Sequence, residues 1–408
     1  MEAEVAHISL NARGGAERLS LSVMQALSAL GAKVVLKTFE KPDPKLLEET
    51  FGDNVKCVLH KVVTLNLLSS LVHPSRKSGS KIHINTHGDM LPFFRDDFSK
   101  ENSFVYCHYP IAGCLIDSNN KDYKDLLYGV SMSQIAPSKR DLFFDMAREA
   151  YKKMIINSTT LTNSEFSRKA IFKMFGVNST VIYPPVNTEL FRNAAFSSKA
   201  TRVNDILVIS RFHRSKKIEN AVQLARLLRR RGIGRRMVIV GNVSPDGAEY
   251  YDYLRKLTKD CGVEDFVKFE PSVNFDRLVE LMSTSKVYLH PLPGEPFGIS
   301  TVESMSAGLI PVVADIGGHT EFVPRTYQFH TFGEGADAVA AALDASSSEH
   351  LWMSHRAEAF SVANFVAKFK NIVSKAILPA EQQAIAPQPM VSSSPSSSKK
   401  LLPTESIA

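Results

Sequence analysis

The sequence is poor in cysteine: Cys57, Cys107, Cys114 and Cys261 are all it has in 408 residues. None forms a C-x-x-C pair, which excludes a disulfide framework and the usual structural zinc sites. They read as small apolar residues of a protein kept in a reducing compartment. Long apolar runs are missing too. The longest candidate, Leu65 to Val72, is broken by Asn66, Ser69 and Ser70. It falls far short of the ~18 residues that a spanning helix needs. The first residues, Met1-Glu2-Ala3-Glu4, are acidic and offer no secretory signal. A soluble or peripheral protein in the cytoplasm is expected. There is no acidic excess; the formal net charge is +7. That balance suits a phosphate-bearing partner, whether nucleotide, anionic membrane or nucleic acid, without choosing among them.

What is present is a hydrophobic share of 44%, enough for two ordinary cores and too much for global disorder. The chain opens as strand, turn, helix. Ala6 to Leu10 reads as the strand, Asn11-Ala12-Arg13-Gly14-Gly15 as the loop, and Ala16 to Leu30 as the helix, stopped by Gly31. Val34 begins the next strand. Further strands are expected at Ile82 to Ile84, Phe104 to Cys107 and Thr159 to Thr162, with helices near Lys139 to Asn157 and Ser167 to Phe175. Pro184-Pro185 cannot continue a sheet ladder and marks a boundary.

A second α/β rhythm follows. Strands are expected at 206–210, 237–240, 266–269, 286–290 and 310–314, with helices at 218–230, 248–261, 276–283 and 299–307 between them. The organisation expected is therefore an α/β first domain over 1–186, a linker over 187–204 and a second doubly wound domain over 205–363. A last helix over 364–378, with Asn364 as N-cap, returns to the first domain. A Pro- and Ser-rich tail over 379–408 cannot bury a core.

The chemistry is expected at the carboxyl ends of the strands. The segment after the 286–290 strand reads Pro293-Gly294-Glu295-Pro296-Phe297-Gly298-Ile299-Ser300-Thr301-Val302-Glu303. A helix start there offers unpaired N–H groups and a positive dipole end for diphosphate or sugar oxygens. Flanking carboxylates can accept bonds from hydroxyls. Either glutamate alone would do no more than stabilise the helix dipole. The second element, Ser210-Arg211-Phe212-His213-Arg214-Ser215-Lys216-Lys217, puts cations beside a helix start. That is unfavourable unless an anion binds. The third is the Gly14-Gly15 turn, which suits any βαβ unit, with Arg13 beside it. The fourth is His108 in Tyr106-Cys107-His108-Tyr109-Pro110, either a cleft residue or a loop-packing histidine. Arg226, Arg229, Arg230, Arg231, Arg235 and Arg236 form a basic cluster; it could touch anionic lipid or be a solvated helix end.

Glu295 and Glu303 are separated by seven residues. Ser304 to Gly308, Pro311 to Ala314 and Gly317-Gly318-His319-Thr320-Glu321-Phe322-Val323 follow, so the pattern runs for about thirty contiguous residues. It resembles the E-x7-E signature of the large retaining glycosyltransferase family with the GT-B fold, group 1 or family 4. The forms Tyr106 to Pro110 and Val181 to Val186 resemble the branch that adds α-1,2-mannose to dolichol-linked oligosaccharide. Eukaryotic members of that branch carry an N-terminal membrane anchor, and no apolar run of that length occurs in these residues.

The resemblance implies two Rossmann-like domains facing across a cleft, and a hexose transferred from a nucleotide-diphospho-sugar. GDP-mannose is the favoured donor and a glycan, lipid-linked in that branch, the acceptor. It implies roles for Glu295 and His108 on the donor sugar, Glu303 on the ribose, and Arg211 and Lys216 on the diphosphate. Backbone groups of Phe297, Gly298, Ile299 and Ser300, with Gly14 and Gly15 nearby, complete the donor site. Peripheral contact with the cytoplasmic face of an anionic membrane and no nucleic-acid partner are also implied. No D-x-D motif stands at a strand end, and Asp96-Asp97 reads as an exposed loop pair, so neither metal nor cofactor is expected. Two alternatives stay open: a non-catalytic sugar-nucleotide-binding protein, and an epimerase or phosphorylase on the same fold. A dinucleotide-dependent dehydrogenase is disfavoured, because Asn11 to Arg18 lacks the G-x-G-x-x-G spacing.

Overall fold

A computed structural model of the chain describes residues 1–12, 14–51, 60–65, 82–88, 102–110, 149–197 and 201–377. Arg13, Cys57, Cys114, Asp96, Asp97, most of the Leu65–Val72 run and the 379–408 tail lie outside them. Two parallel sheets carry the architecture. The first has the order β3-β2-β1-β4-β5-β6-β7. Its strands are β1 Glu2–Ala6, β2 Lys33–Thr38, β3 Lys61–Thr64, β4 Ile82–Asn85, β5 Ser103–Cys107, β6 Thr159–Thr162 and β7 Thr180–Val181. The second has the order β10-β9-β8-β11-β12-β13. It comprises β8 Val203–Ile209, β9 Arg236–Gly241, β10 Val267–Pro271, β11 Ser285–His290, β12 Ile310–Ala314 and β13 Gln328–Phe329.

The first strand lies earlier than the apolar pattern suggests: it is Glu2–Ala6, not Ala6 to Leu10. Glu4 masks it in the sequence. Its carboxylate is buried against Lys37 Nζ at 2.8 Å and His83 Nδ1 at 3.4 Å. Burial pushes the Glu4 pKa up, but His83 and Lys37 outweigh it and hold it at about 2. Residues 187–204 are not a plain linker either. Thr188–Ser197 is a helix that buries Phe191 and Ala195 with Leu207, Tyr288 and Leu309 of the second domain. Its apolar face is short, and the preceding prolines hide it.

The last helix, Val362–Ile377, buries Phe365, Phe369 and Val373 in the core of the first sheet's domain. Ser361, not Asn364, caps it: Ser361 Oγ accepts from Asn364 N at 3.3 Å. The chain thus crosses between the domains twice, and Val186 bridges to Ser361 at the crossing. Among the described residues no helix is long and apolar enough to cross a membrane. Cys107 is buried and Cys261 partly so.

Candidate active site

The second sheet reverses its strand order between β8 and β11. An open parallel sheet has its ligand crevice there, outside the carboxyl ends of the strands. Two loops leave those ends, one from Ser210 after β8 and one from Pro291 after β11. They meet at Lys216 and Glu295. Lys216 ends a single turn, Arg214–Lys216, which His213 caps by accepting from Ser215 N. Lys216 Nζ donates to Glu295 Oε2 at 3.1 Å. His290 Nε2, at the end of β11, stands 3.3 Å from the same oxygen. Burial alone would raise the Glu295 pKa. Lys216 and His290 more than offset it and hold the carboxyl well below the usual range, so Glu295 is an anion.

His290 is oriented from behind. Its Nδ1 is 2.9 Å from the Tyr288 hydroxyl, which is 2.8 Å from Ser300 Oγ. Burial raises the Tyr288 pKa far above its ordinary value, so the phenol keeps its proton. The protonated Tyr288 hydroxyl can donate to His290 Nδ1 and accept from Ser300 Oγ, which leaves His290 Nε2 facing the Glu295 carboxylate. Sequence reasoning missed Tyr288 and His290, which it placed only as strand residues. The available signal was two polar side chains at alternate positions in an otherwise apolar central strand.

Glycines shape the backbone here. Helix Ile299–Ser306 opens at Gly298, whose φ of +95° favours glycine. A Cβ on Gly317, at φ +136°, would lie 2.6 Å from the Glu295 carbonyl oxygen. Gly317 bridges to Glu295, and Gly318 N donates to that same carbonyl at 2.8 Å. Phe297 is an anchor: its ring packs on Tyr183, Phe322 and Phe360 at 5.8, 5.2 and 5.6 Å. Only its backbone is left to face a ligand.

Glu303 lies in the second turn of that helix and is partly buried. Burial raises its pKa to about 7, and Arg18 opposes the rise. Arg18 belongs to the first domain's helix Gly15–Ala29, so the two domains face one another at this point. Gly15 meets the same helix start: a Cβ on it would stand 2.0 Å from Ile299 Cδ1. Gly14 N donates to Glu17 Oε2 at 2.5 Å, and Glu17 Oε1 is 3.3 Å from His7 Nε2. His7 Nδ1 reaches Thr86 Oγ1 at 3.0 Å, and His108 Nε2 is 3.3 Å from the Thr86 carbonyl. His7, Thr86 and His108 follow β1, β4 and β5, so they gather beside the switch point of the first sheet.

The structure thus brings Lys216, Glu295 and Ser300 together, with Gly15 of the first domain against the start of the Ile299–Ser306 helix and Glu303 one turn further along it. Arg211 is different. It follows β8 with its side chain exposed, fixed through its backbone carbonyl, which accepts from His213 N at 2.8 Å. Four of the six arginines in the basic cluster form ion pairs. Arg229 holds Asp265, Arg231 holds Asp337, and Arg235 and Arg236 share the buried Asp205. Those four arginines are neutralised within the domain, which favours the solvated-end interpretation over a lipid contact.

The family model "Glycosyl transferases group 1" matches residues 191–357. A Dictyostelium discoideum GDP-Man:Man(3)GlcNAc(2)-PP-Dol alpha-1,2-mannosyltransferase is 29% identical over 54% of this chain and 47% of its own. A Komagataeibacter xylinus GDP-mannose:cellobiosyl-diphosphopolyprenol alpha-mannosyltransferase is 30% identical over 41% of this chain and 39% of its own. The chain spans about half the length, or less, of the curated relatives it matches. Among solved structures, Anabaena Alr3699/HepE in complex with UDP superposes with a TM-score of 0.64 at 16% identity, over 92% of this chain and 100% of that one. The fold is GT-B, and residues 191–357 are similar to the group 1 glycosyltransferases.

Proposed function

We propose that the chain transfers mannose from GDP-mannose to a lipid-linked glycan, with retention of anomeric configuration. The observation that carries the reading is the Lys216–Glu295 pair at the switch point, beside a helix start. It is a fixed cation where a leaving diphosphate needs one, and a fixed anion where sugar hydroxyls can donate. Relatives whose names specify GDP-mannose and polyprenol-linked acceptors support the choice of sugar and acceptor.

In this reading the donor lies on the second domain. Lys216 and Arg211 take the diphosphate, the Gly298–Ser300 backbone receives donor oxygens, and Glu303 accepts from the ribose. Glu295 orients the sugar from one side and His108, across the cleft, from the other. The acceptor approaches from the first domain, and closure excludes the water that would otherwise hydrolyse the donor. The bond from the anomeric carbon to the diphosphate breaks and the bond to the acceptor oxygen forms on the same face. The acceptor proton passes to the leaving diphosphate, so GDP departs without a protein nucleophile. The reaction needs no resident cofactor, and it takes place at a cytoplasmic membrane face where a lipid-linked acceptor resides.

The test is transfer itself. The purified chain, GDP-mannose and a dolichol-diphosphate oligosaccharide should give GDP and an extended lipid-linked glycan with an α-linkage by NMR. A β-linked product would overturn retention. Conversion of the donor without acceptor would point to an epimerase, and binding without turnover to a non-catalytic protein.

A further inference from the structure

Helix Glu165–Phe175 of the first domain follows β6 and is capped by Ser164, whose Oγ accepts from Ser167 N at 3.0 Å. Its first two N–H groups do not end in solvent. Glu165 N donates to Glu321 Oε2 at 3.1 Å and Phe166 N to Glu321 Oε1 at 2.9 Å. Glu321 belongs to the second domain, at the end of the turn Gly318–Glu321 that follows β12. Its carboxylate also accepts from the Tyr183 hydroxyl at 3.1 Å. A carboxylate placed there satisfies two orphan donors and meets the positive end of the helix.

Ser164 makes a second tie across the domains. Its hydroxyl donates to the Pro296 carbonyl at 2.6 Å. Pro296 is the residue after Glu295. Contact this close needs Gly318, because a Cβ there would lie 2.1 Å from the Pro296 oxygen and 2.9 Å from Ser164 Cβ. On the other side, Ser167 Oγ donates to the His108 carbonyl at 2.9 Å. One capping turn therefore connects the backbone of His108 to the loop of Glu295, by way of Ser167, Ser164 and Pro296.

We propose that Ser164 and Glu321 are positioning residues: they latch the first-domain helix to the Glu295 loop and so fix His108 relative to Glu295 for the transfer step. The inference rests on the proposed function. Its physical basis is that a misplacement of about 1 Å in a reacting constellation costs on the order of a hundredfold in rate. GDP itself lies mostly on the second domain, so the latch acts on turnover and not on nucleotide affinity.

The test uses the full chain with Glu321→Ala, Glu321→Gln, Ser164→Ala and the double Ala variant. Two quantities are read: kcat for transfer, and the Kd for GDP by calorimetry. The alanine variants should lose roughly ten- to a hundredfold in kcat, with the GDP Kd within about twofold of the wild type. Glu321→Gln, which keeps one acceptor oxygen, should recover part of the loss. The double variant should be little worse than the poorer single one, because both residues serve one latch. Alanine variants with unchanged kcat would overturn the proposal, as would parallel losses of kcat and GDP affinity. Should the wild type transfer no sugar at all, the proposed function falls first. Small-angle scattering then decides the latch by itself: Glu321→Ala should expand the chain, and an unchanged radius of gyration overturns it.

Discussion

Lys216 and Glu295, 79 residues apart in the chain, hold one another across the candidate crevice at 3.1 Å. The pair explains why a glutamate this buried stays ionised. It also makes each side chain sensitive to loss of the other. Lys216→Met should lower kcat/KM by about 10²–10³-fold, the usual cost of removing one preorganised charge from a reacting diphosphate. It should also cost about 1–3 kcal/mol of stability, because a charged hydrogen bond is lost and a buried acceptor left behind. Glu295 has a depressed folded pKa, so its contribution is present above the unfolded value of 4.5 and fades as pH falls below it. The stability gap between wild type and Lys216→Met should therefore be wide at pH 7 and shrink below pH 4.5. Urea unfolding at several pH values checks it.

Glu303 carries the opposite sign. Its folded pKa, about 7, lies above its unfolded 4.5. The folded form is thus penalised progressively as pH rises from 4.5 through 7. Glu303→Gln should match the wild type in thermal stability near pH 4 and exceed it at pH 8. The same variant should bind GDP about tenfold more weakly at pH 8, because a neutral amide with one acceptor oxygen replaces the charged carboxylate that receives the ribose hydroxyls. Calorimetry and thermal melts on one sample series read both effects.

His290 separates its two duties by atom. Nδ1 meets Tyr288 and Nε2 approaches Glu295. Glutamine places an amide near Nε2, and asparagine one near Nδ1. His290→Gln should therefore retain more transfer activity than His290→Asn, by roughly tenfold, the worth of one hydrogen bond to a charged group. Equal activities would show that the Glu295 contact does not matter.

Gly317→Ala should be among the more damaging small substitutions. The new Cβ would meet the Glu295 carbonyl at 2.6 Å, at a φ of +136°. A cost of about 1–3 kcal/mol is expected from strain alone. The displaced Glu295 should remove most activity. Chemical denaturation and a transfer assay test the two halves separately.

Much of this was legible in the sequence, for physical reasons that differ by element. Strands β8, β9, β11 and β12 are buried on both faces through most of their length, so they stand out as apolar runs between helical periods. Glu295 to Glu303 stood out because two acids flank a glycine-opened helix. The first strand was misplaced because Glu4 needs Lys37 and His83, and no local pattern shows partners that far away. The helix Thr188–Ser197 was hidden by its short apolar face. Tyr288 and His290 looked like ordinary strand residues until Ser300 came within reach of the Tyr288 hydroxyl. The Ser164–Pro296 tie joins two domains and has no trace in either segment alone.

The most direct test of the account is calorimetric titration of GDP-mannose into the wild type and Lys216→Met. The account predicts saturable binding by the wild type and at least tenfold weaker binding by the variant, since a fixed cation on the diphosphate is lost. A wild type that binds no GDP-, UDP- or ADP-sugar but does bind NAD would contradict it.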